Sequence, residues 1–111
     1  MTIFEELVNK IKLDCKQILI RRIDVINSTL LLNISKFVYN ILKNERNLNV
    51  SFDFSIFDNY KSKFEIRKDH ILIISGTVEI DIEDKSFMAY LVDMDNWNKE
   101  IIQYKLNEFN K

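Results

Sequence analysis

The stretch TVEIDIEDKSFMAYL, residues 77–91, decides the fold. Val78, Ile80 and Ile82 alternate with Thr77, Glu79, Asp81 and Glu83. Alternation with a period of two marks a strand that buries one face and wets the other. Glu83-Asp84-Lys85-Ser86 then supplies a tight turn. With Asp84 and Lys85 at the tip of a two-residue hairpin, Ile82 faces Phe87, Ile80 faces Ala89 and Val78 faces Leu91. All six side chains are apolar and share one face. The other face carries Glu79, Asp81 and Glu83 beside Ser86, Met88 and Tyr90. A slip of one residue would turn the apolar set toward water, so the separation supports this pairing.

The same alternation runs upstream. Val50, Phe52, Phe54 and Ile56 alternate with Ser51, Asp53 and Ser55, and Phe64 and Ile66 alternate with Lys63, Glu65 and Arg67. A four-stranded antiparallel meander is expected over 49–57, 61–67, 70–83 and 86–94. Gly76 interrupts the third strand and is the expected site of a bulge. Residues 2–46 read as helices. Thr2 and Glu5 form a capping box, after which Phe4, Val8, Ile11, Cys15, Ile18 and Leu19 recur at helical spacing. Residues 17–23 also fit a short strand. Asp24, Asn27 or Ser28 caps a second helix carrying Leu30, Ile34, Phe37, Val38, Ile41 and Leu42.

At the other end, Asp95 or Asn96 caps a C-terminal helix over 96–109 that holds Trp97, Ile101, Ile102, Leu106 and Phe109. Alternation of Ile102, Tyr104 and Leu106 offers a fifth strand instead. The expectation is a single α+β domain, 1–111, with the N-terminal helices packed on one face of the sheet. They should cover Phe52, Phe54, Phe64, Ile66, Leu72, Ile74, Val78, Ile80, Ile82, Phe87 and Leu91.

A chain of 111 residues with 47% hydrophobic side chains and eight Phe can bury a core without metal or disulfide staples. Its net charge of −1 gives no global field toward nucleic acid or an anionic membrane. The distribution is uneven: residues 1–50 hold eight Lys/Arg against five Asp/Glu, a net of +3, and residues 51–111 hold eight against twelve, a net of −4. Segment 79–95 is the most acidic, with Glu79, Asp81, Glu83, Asp84, Asp93 and Asp95 opposed only by Lys85. A single cysteine, Cys15, excludes an internal disulfide and favours a reducing, cytoplasmic setting. No cationic leader precedes an apolar run, and no apolar run approaches membrane-spanning length. One Gly, no Pro and one Ala stand beside seventeen Ile, twelve Lys and twelve Asn. That skew points to AT-rich coding DNA, as in a low-GC bacterium, its phages and plasmids, or an AT-rich eukaryote or virus.

The catalytic inventory is thin. His70 is the only histidine, and no nucleophile is placed beside it. Cys15 lies on the apolar stripe of the first helix, the setting of an inert thiol. One Cys and one His cannot build a structural zinc site, and the lone Gly76 rules out glycine-rich phosphate loops, so no cofactor is expected. Asp69…Glu83-Asp84-Lys85 loosely echoes the Asp…Glu-x-Lys pattern of metal-dependent nucleases, with Asp69, Glu83 and Lys85 as its members. The basic stretches Lys10, Lys12, Lys16, Arg21, Arg22 and Lys61, Lys63, Arg67, Lys68 read as solvated charge, because stacking aromatics do not accompany them.

These patterns favour a small non-enzymatic binding module, of the size of inhibitor, immunity or anti-defence proteins of mobile elements. Its candidate partner surface is Ile71, Ile73, Glu79, Asp81, Glu83, Met88, Tyr90 and Val92, apolar anchors within an acidic rim suited to a basic protein partner. The alternatives are a homo-oligomer pairing through its open sheet face or edges, with room for a small ligand, and the nuclease.

Overall fold

Thr2 Oγ1 accepts a hydrogen bond from the Glu5 amide at 3.1 Å, which satisfies one of the free donors at a helix start. Helix α1 (Ile3–Arg21) follows, then α2 (Ile26–Asn44) and five strands: β1 (Val50–Asp58), β2 (Lys61–Lys68), β3 (Ile71–Asp81), β4 (Ser86–Asp93) and β5 (Asn98–Lys105). The computed structural model describes residues 2–21, 26–44, 49–58, 61–81, 83 and 86–105, and only the backbone at 16–21, 26, 27, 41–44 and 58. Residues 17–21 are helical, not a strand. α2 begins at Ile26, so Asn27 and Ser28 lie inside it, and Asp24 falls outside the described residues.

The strands form one sheet in the order β1-β2-β3-β4-β5, every neighbour antiparallel. Both helices bury their apolar stripes on one face of it. Phe4, Leu7, Val8, Ile11 and Cys15 of α1 and Leu30, Leu31, Ile34 and Val38 of α2 join Val50, Phe64, Ile66, Ile74, Val78, Ile80, Phe87, Ala89, Leu91 and Ile102 in a single core. Asp14, also buried, ties the helices together: it takes Lys10 Nζ at 3.4 Å and accepts from Asn33 Nδ2 at 3.3 Å.

Three expectations about the sheet are corrected. First, the β3–β4 pairing is Val78↔Ala89 and Ile80↔Phe87, two residues from the expected register. A shift of two leaves every side chain on its face, so alternation could not tell the registers apart. Second, Gly76 is not a bulge. It pairs regularly with Phe64 on β2 and Leu91 on β4. Its missing side chain makes room for the Phe64 ring: a Cβ there would clash with Cζ and Cε1 of the ring and lie 2.8 Å from Leu91 Cδ2. The bulge is at Ile73, between the pairs Ile66↔Ile74 and Arg67↔Leu72. Ile73 is buried there, and its carbonyl accepts from the Met94 amide at 2.8 Å. Leu72 moves to the Arg67 face of the sheet, away from the helices.

Third, of the two readings of the C-terminal segment the fifth strand holds, over Asn98–Lys105, and the helix over 96–109 does not; residues 106–109 lie outside the described residues. Asp93 decides this. Its buried carboxylate accepts from the Asp95 amide at 3.0 Å, the Asn96 amide at 3.4 Å and Asn96 Nδ2 at 3.3 Å. Those bonds curl residues 94–97 into a four-residue loop that Trp97 closes at φ 56°, opposite the pair Asp93↔Asn98. The amides expected to begin a helix are spent on a hairpin turn.

Substituting Gly76→Ala should cost about 3 kcal/mol, because the new methyl overpacks the ring on it. Urea denaturation measures this, and Phe64→Leu in the same chain should restore part of the loss. Asp93→Ala should cost about 2 kcal/mol by orphaning turn amides, and Asp93→Asn, which keeps an acceptor oxygen, clearly less.

Candidate functional site

The sheet face turned away from the helices has no described element packed on it. Its cross-strand rows can be read from the register. One row runs Asp53, Glu65, Ser75, Val92, Lys99; the next Ser55, Lys63, Thr77, Tyr90, Ile101; the third Lys61, Glu79, Met88, Gln103; the last Asp81, Ser86, Lys105. Two halves of different character result. On β1 to β3 the charges neutralise one another: Lys61 meets Glu79 at 3.4 Å, Lys63 meets Glu65 at 3.8 Å, and Arg67 meets Glu65 at 2.6 Å and Asp53 at 3.6 Å. On β4 and β5 four apolar side chains group together, bordered by Ser86, Lys99, Gln103 and Lys105. Met88, Tyr90 and Val92 stand half-buried, and Ile101, 57% exposed, lies directly across from Tyr90.

The last two rows border a groove of about 470 Å³ lined by Glu79, Asp81, Ser86, Met88, Gln103 and Lys105 together with Phe87 and Tyr104. Gln103 Nε2 lies 3.6 Å from the Met88 sulfur, a weak contact. Carboxylates, an amide and a lysine thus meet a thioether and an aromatic edge at the hairpin end of the sheet.

The structure brings together Glu79, Asp81, Met88, Tyr90 and Val92 of the expected surface, and Glu83 lies exposed in the adjacent β3–β4 turn. It separates Ile71 and Ile73 from them. Ile73 is buried in the bulge, and Ile71, 65% exposed, pairs with Lys68 at the far end of β3. Ile101 was missed as part of this face because its segment was read first as a helix; the fifth-strand alternative, carried by Ile102 and Tyr104, puts Ile101 on the opposite side of the strand from them, across from Tyr90. The acidic segment divides as well. Asp93 is a buried turn acceptor at one end of the sheet, and Glu79, Asp81 and Glu83 crowd the other.

The residues of the nuclease pattern do not converge. Asp69 sits in the two-residue β2–β3 turn and Glu83 beyond the opposite end of β3, an eleven-residue strand that spans roughly 33 Å. Lys85 lies outside the described residues. Among the described residues no group of three or more His, Cys, Asp or Glu is placed to hold a metal ion. His70 is exposed beside Asp69, both at positive φ (68° and 53°), as a primed hairpin turn requires. Cys15 is fully buried; burial, with Asp14 adding to it, pushes its thiol far above the ordinary range.

Five residues of the basic stretches are engaged: Lys10 with Asp14, Lys12 with Glu100 at 3.4 Å, and Lys61, Lys63 and Arg67 in the pairs above; the side chains of Lys16, Arg21 and Arg22 lie outside the described residues. No described helix is long and apolar enough to cross a membrane. Compared with protein families, with curated proteins and with solved structures, the chain matches none.

Cys15 should resist a maleimide at neutral pH in the folded protein and react at once in denaturant, since only an exposed thiolate is nucleophilic. Rapid labelling of native protein, read by mass spectrometry, would contradict its burial.

Proposed function

We propose that the protein is a non-enzymatic module that docks onto another protein through the β4–β5 half of its open sheet face. The observation that carries this is the contiguous group Met88, Tyr90, Val92 and Ile101 on a face no described element covers. Aromatic and Met anchors inside a polar surround are the composition of interface cores. Ion pairs on the β1–β3 half hold that region flat and polar, as a rim is. Asp81 and Glu83 at the hairpin end, with Glu79 shared with Lys61, favour a partner with a basic surface, drawn in by electrostatic steering. Engagement of Lys10, Lys12, Lys61, Lys63 and Arg67 with carboxylates argues against a phosphate-tracking surface. An inhibitor, immunity or anti-defence role in an AT-rich mobile element is the finer reading, and it rests on chain size and codon-linked composition.

Tagged wild type should retain a specific protein from native lysate, and a Met88→Ala/Tyr90→Ala variant should lose it while keeping its circular dichroism. With the partner purified, reversing Glu79, Asp81 and Glu83 to Lys should slow association about tenfold and flatten its salt dependence. Recovery of nucleic acid alone, or capture that the double variant retains, would overturn this placement of the interface.

A further inference from the structure

An open sheet ends in two edge strands whose outward N–H and C=O groups lack strand partners, and natural proteins shield such edges with charge, Pro or a covering element. The two edges here are treated differently. β5 carries Lys99, Glu100 and Lys105, and Glu100 is tied to Lys12 of α1. β1, VSFDFSIFD, has neither Lys, Arg nor Pro. Three of its large apolar side chains are open: Phe54 at 55%, Ile56 at 52% and Phe57 at 61% exposure. Phe54 and Ile56 have the parity of the helix-covered face, yet the helical layer leaves them uncovered. The aromatic layer of the core continues out to them, Phe64 to Phe52 at 5.9 Å between centroids and Phe52 to Phe54 at 5.8 Å.

We propose that β1 pairs antiparallel with β1 of a second copy of this chain, giving a two-fold homodimer with one continuous ten-stranded sheet. Self-complementarity of the strand selects this occupant. Antiparallel pairing keeps faces and hydrogen bonds in phase only if residues of equal parity meet, so the two-fold axis passes through a residue. An axis at Asp53 sets two carboxylates against each other, which is unfavourable. An axis at Ser55 sets Asp53 against Phe57, the residue skipped between the pairs Ile56↔Ser62 and Asp58↔Lys61. An axis at Phe54 sets Phe54 against its own copy, Phe52 against the partner's Ile56 and Asp53 against the partner's Ser55. Apolar then meets apolar on the helix side and carboxylate meets hydroxyl on the other, and the irregularity at Phe57 ends the pairing.

Such an axis stands perpendicular to the sheet, so both helical layers lie on the same side. α2, which packs on β1 and β2, then flanks the shared Phe54–Ile56 strip from each protomer. The surface is separate from the β4–β5 face, so either proposal can fail alone.

Sedimentation velocity of the full chain tests the pairing. Wild type should shift from monomer to dimer as concentration rises into the high micromolar range. Ile56→Lys should weaken the dimer at least tenfold with unchanged circular dichroism. Under mild oxidation Phe54→Cys should cross-link to itself, and Ser51→Cys, far from its own copy in this register, should not. A wild type that stays monomeric, or Ser51→Cys linking as fast as Phe54→Cys, would overturn the proposal; the cross-linking comparison decides even if Ile56→Lys fails to fold.

Discussion

The Phe64 ring occupies the space where a side chain of residue 76 would stand, pressed between the β3 backbone and Leu91. Everything else is arranged around that contact. It lies on the central three strands, with Ile66 and Ile74 in the row beside it and Val78 and Ala89 in the row beyond. All are fully or nearly fully buried beneath Leu7, Ile11, Leu30 and Ile34 of the helices. A large ring seated on a glycine fills the layer between sheet and helices at close packing. It also fixes which face of the sheet is closed.

With the helices committed to that face, the other face and both edges are what the protein presents outward. Their chemistry is uneven. β1 to β3 carry a ladder of ion pairs, each exposed enough to contribute little stability. β4 and β5 carry apolar side chains in adjacent rows, and β1 carries exposed Phe54, Ile56 and Phe57 along its edge. Exposed apolar side chains grouped in this way are the basis of both interface proposals. Among the described residues no group of three or more His, Cys, Asp or Glu is placed to hold a metal ion.

The sequence made the face of each strand legible, because the apolar alternation from Val50 to Leu91 has a period that only a sheet satisfies. It did not make register legible. A shift of two residues between β3 and β4 conserves every burial preference, and only the length of the turn distinguishes the alternatives. The bulge was assigned to Gly76 on composition, yet a glycine opposite a phenylalanine in a regular ladder serves ring packing. The true bulge at Ile73 has no local signal among four consecutive apolar residues. The last strand was legible only as an alternative to a helix. Trp97, Ile101 and Ile102 fit helical spacing, but Asp93, Asp95 and Asn96 bond to one another as a turn. Of the candidate surface, Met88, Tyr90, Val92 and the acids followed from parity alone. Ile71 and Ile73 were misplaced by the bulge, and Ile101 by the helix reading. The spacing of Asp69 and Glu83 along the chain said nothing of their separation by a whole strand.

The layout is tested most directly by cross-strand nuclear Overhauser effects between backbone protons of β3, β4 and β5. Contacts of Val78 with Ala89, of Ala89 with Ile102 and of Tyr90 with Ile101 are predicted, since these residues are directly opposed. They would place Ile101 on the open face beside Tyr90. Contacts of Val78 with Leu91, or helical contacts through residues 98–105, would contradict both the sheet described here and the docking face built on it.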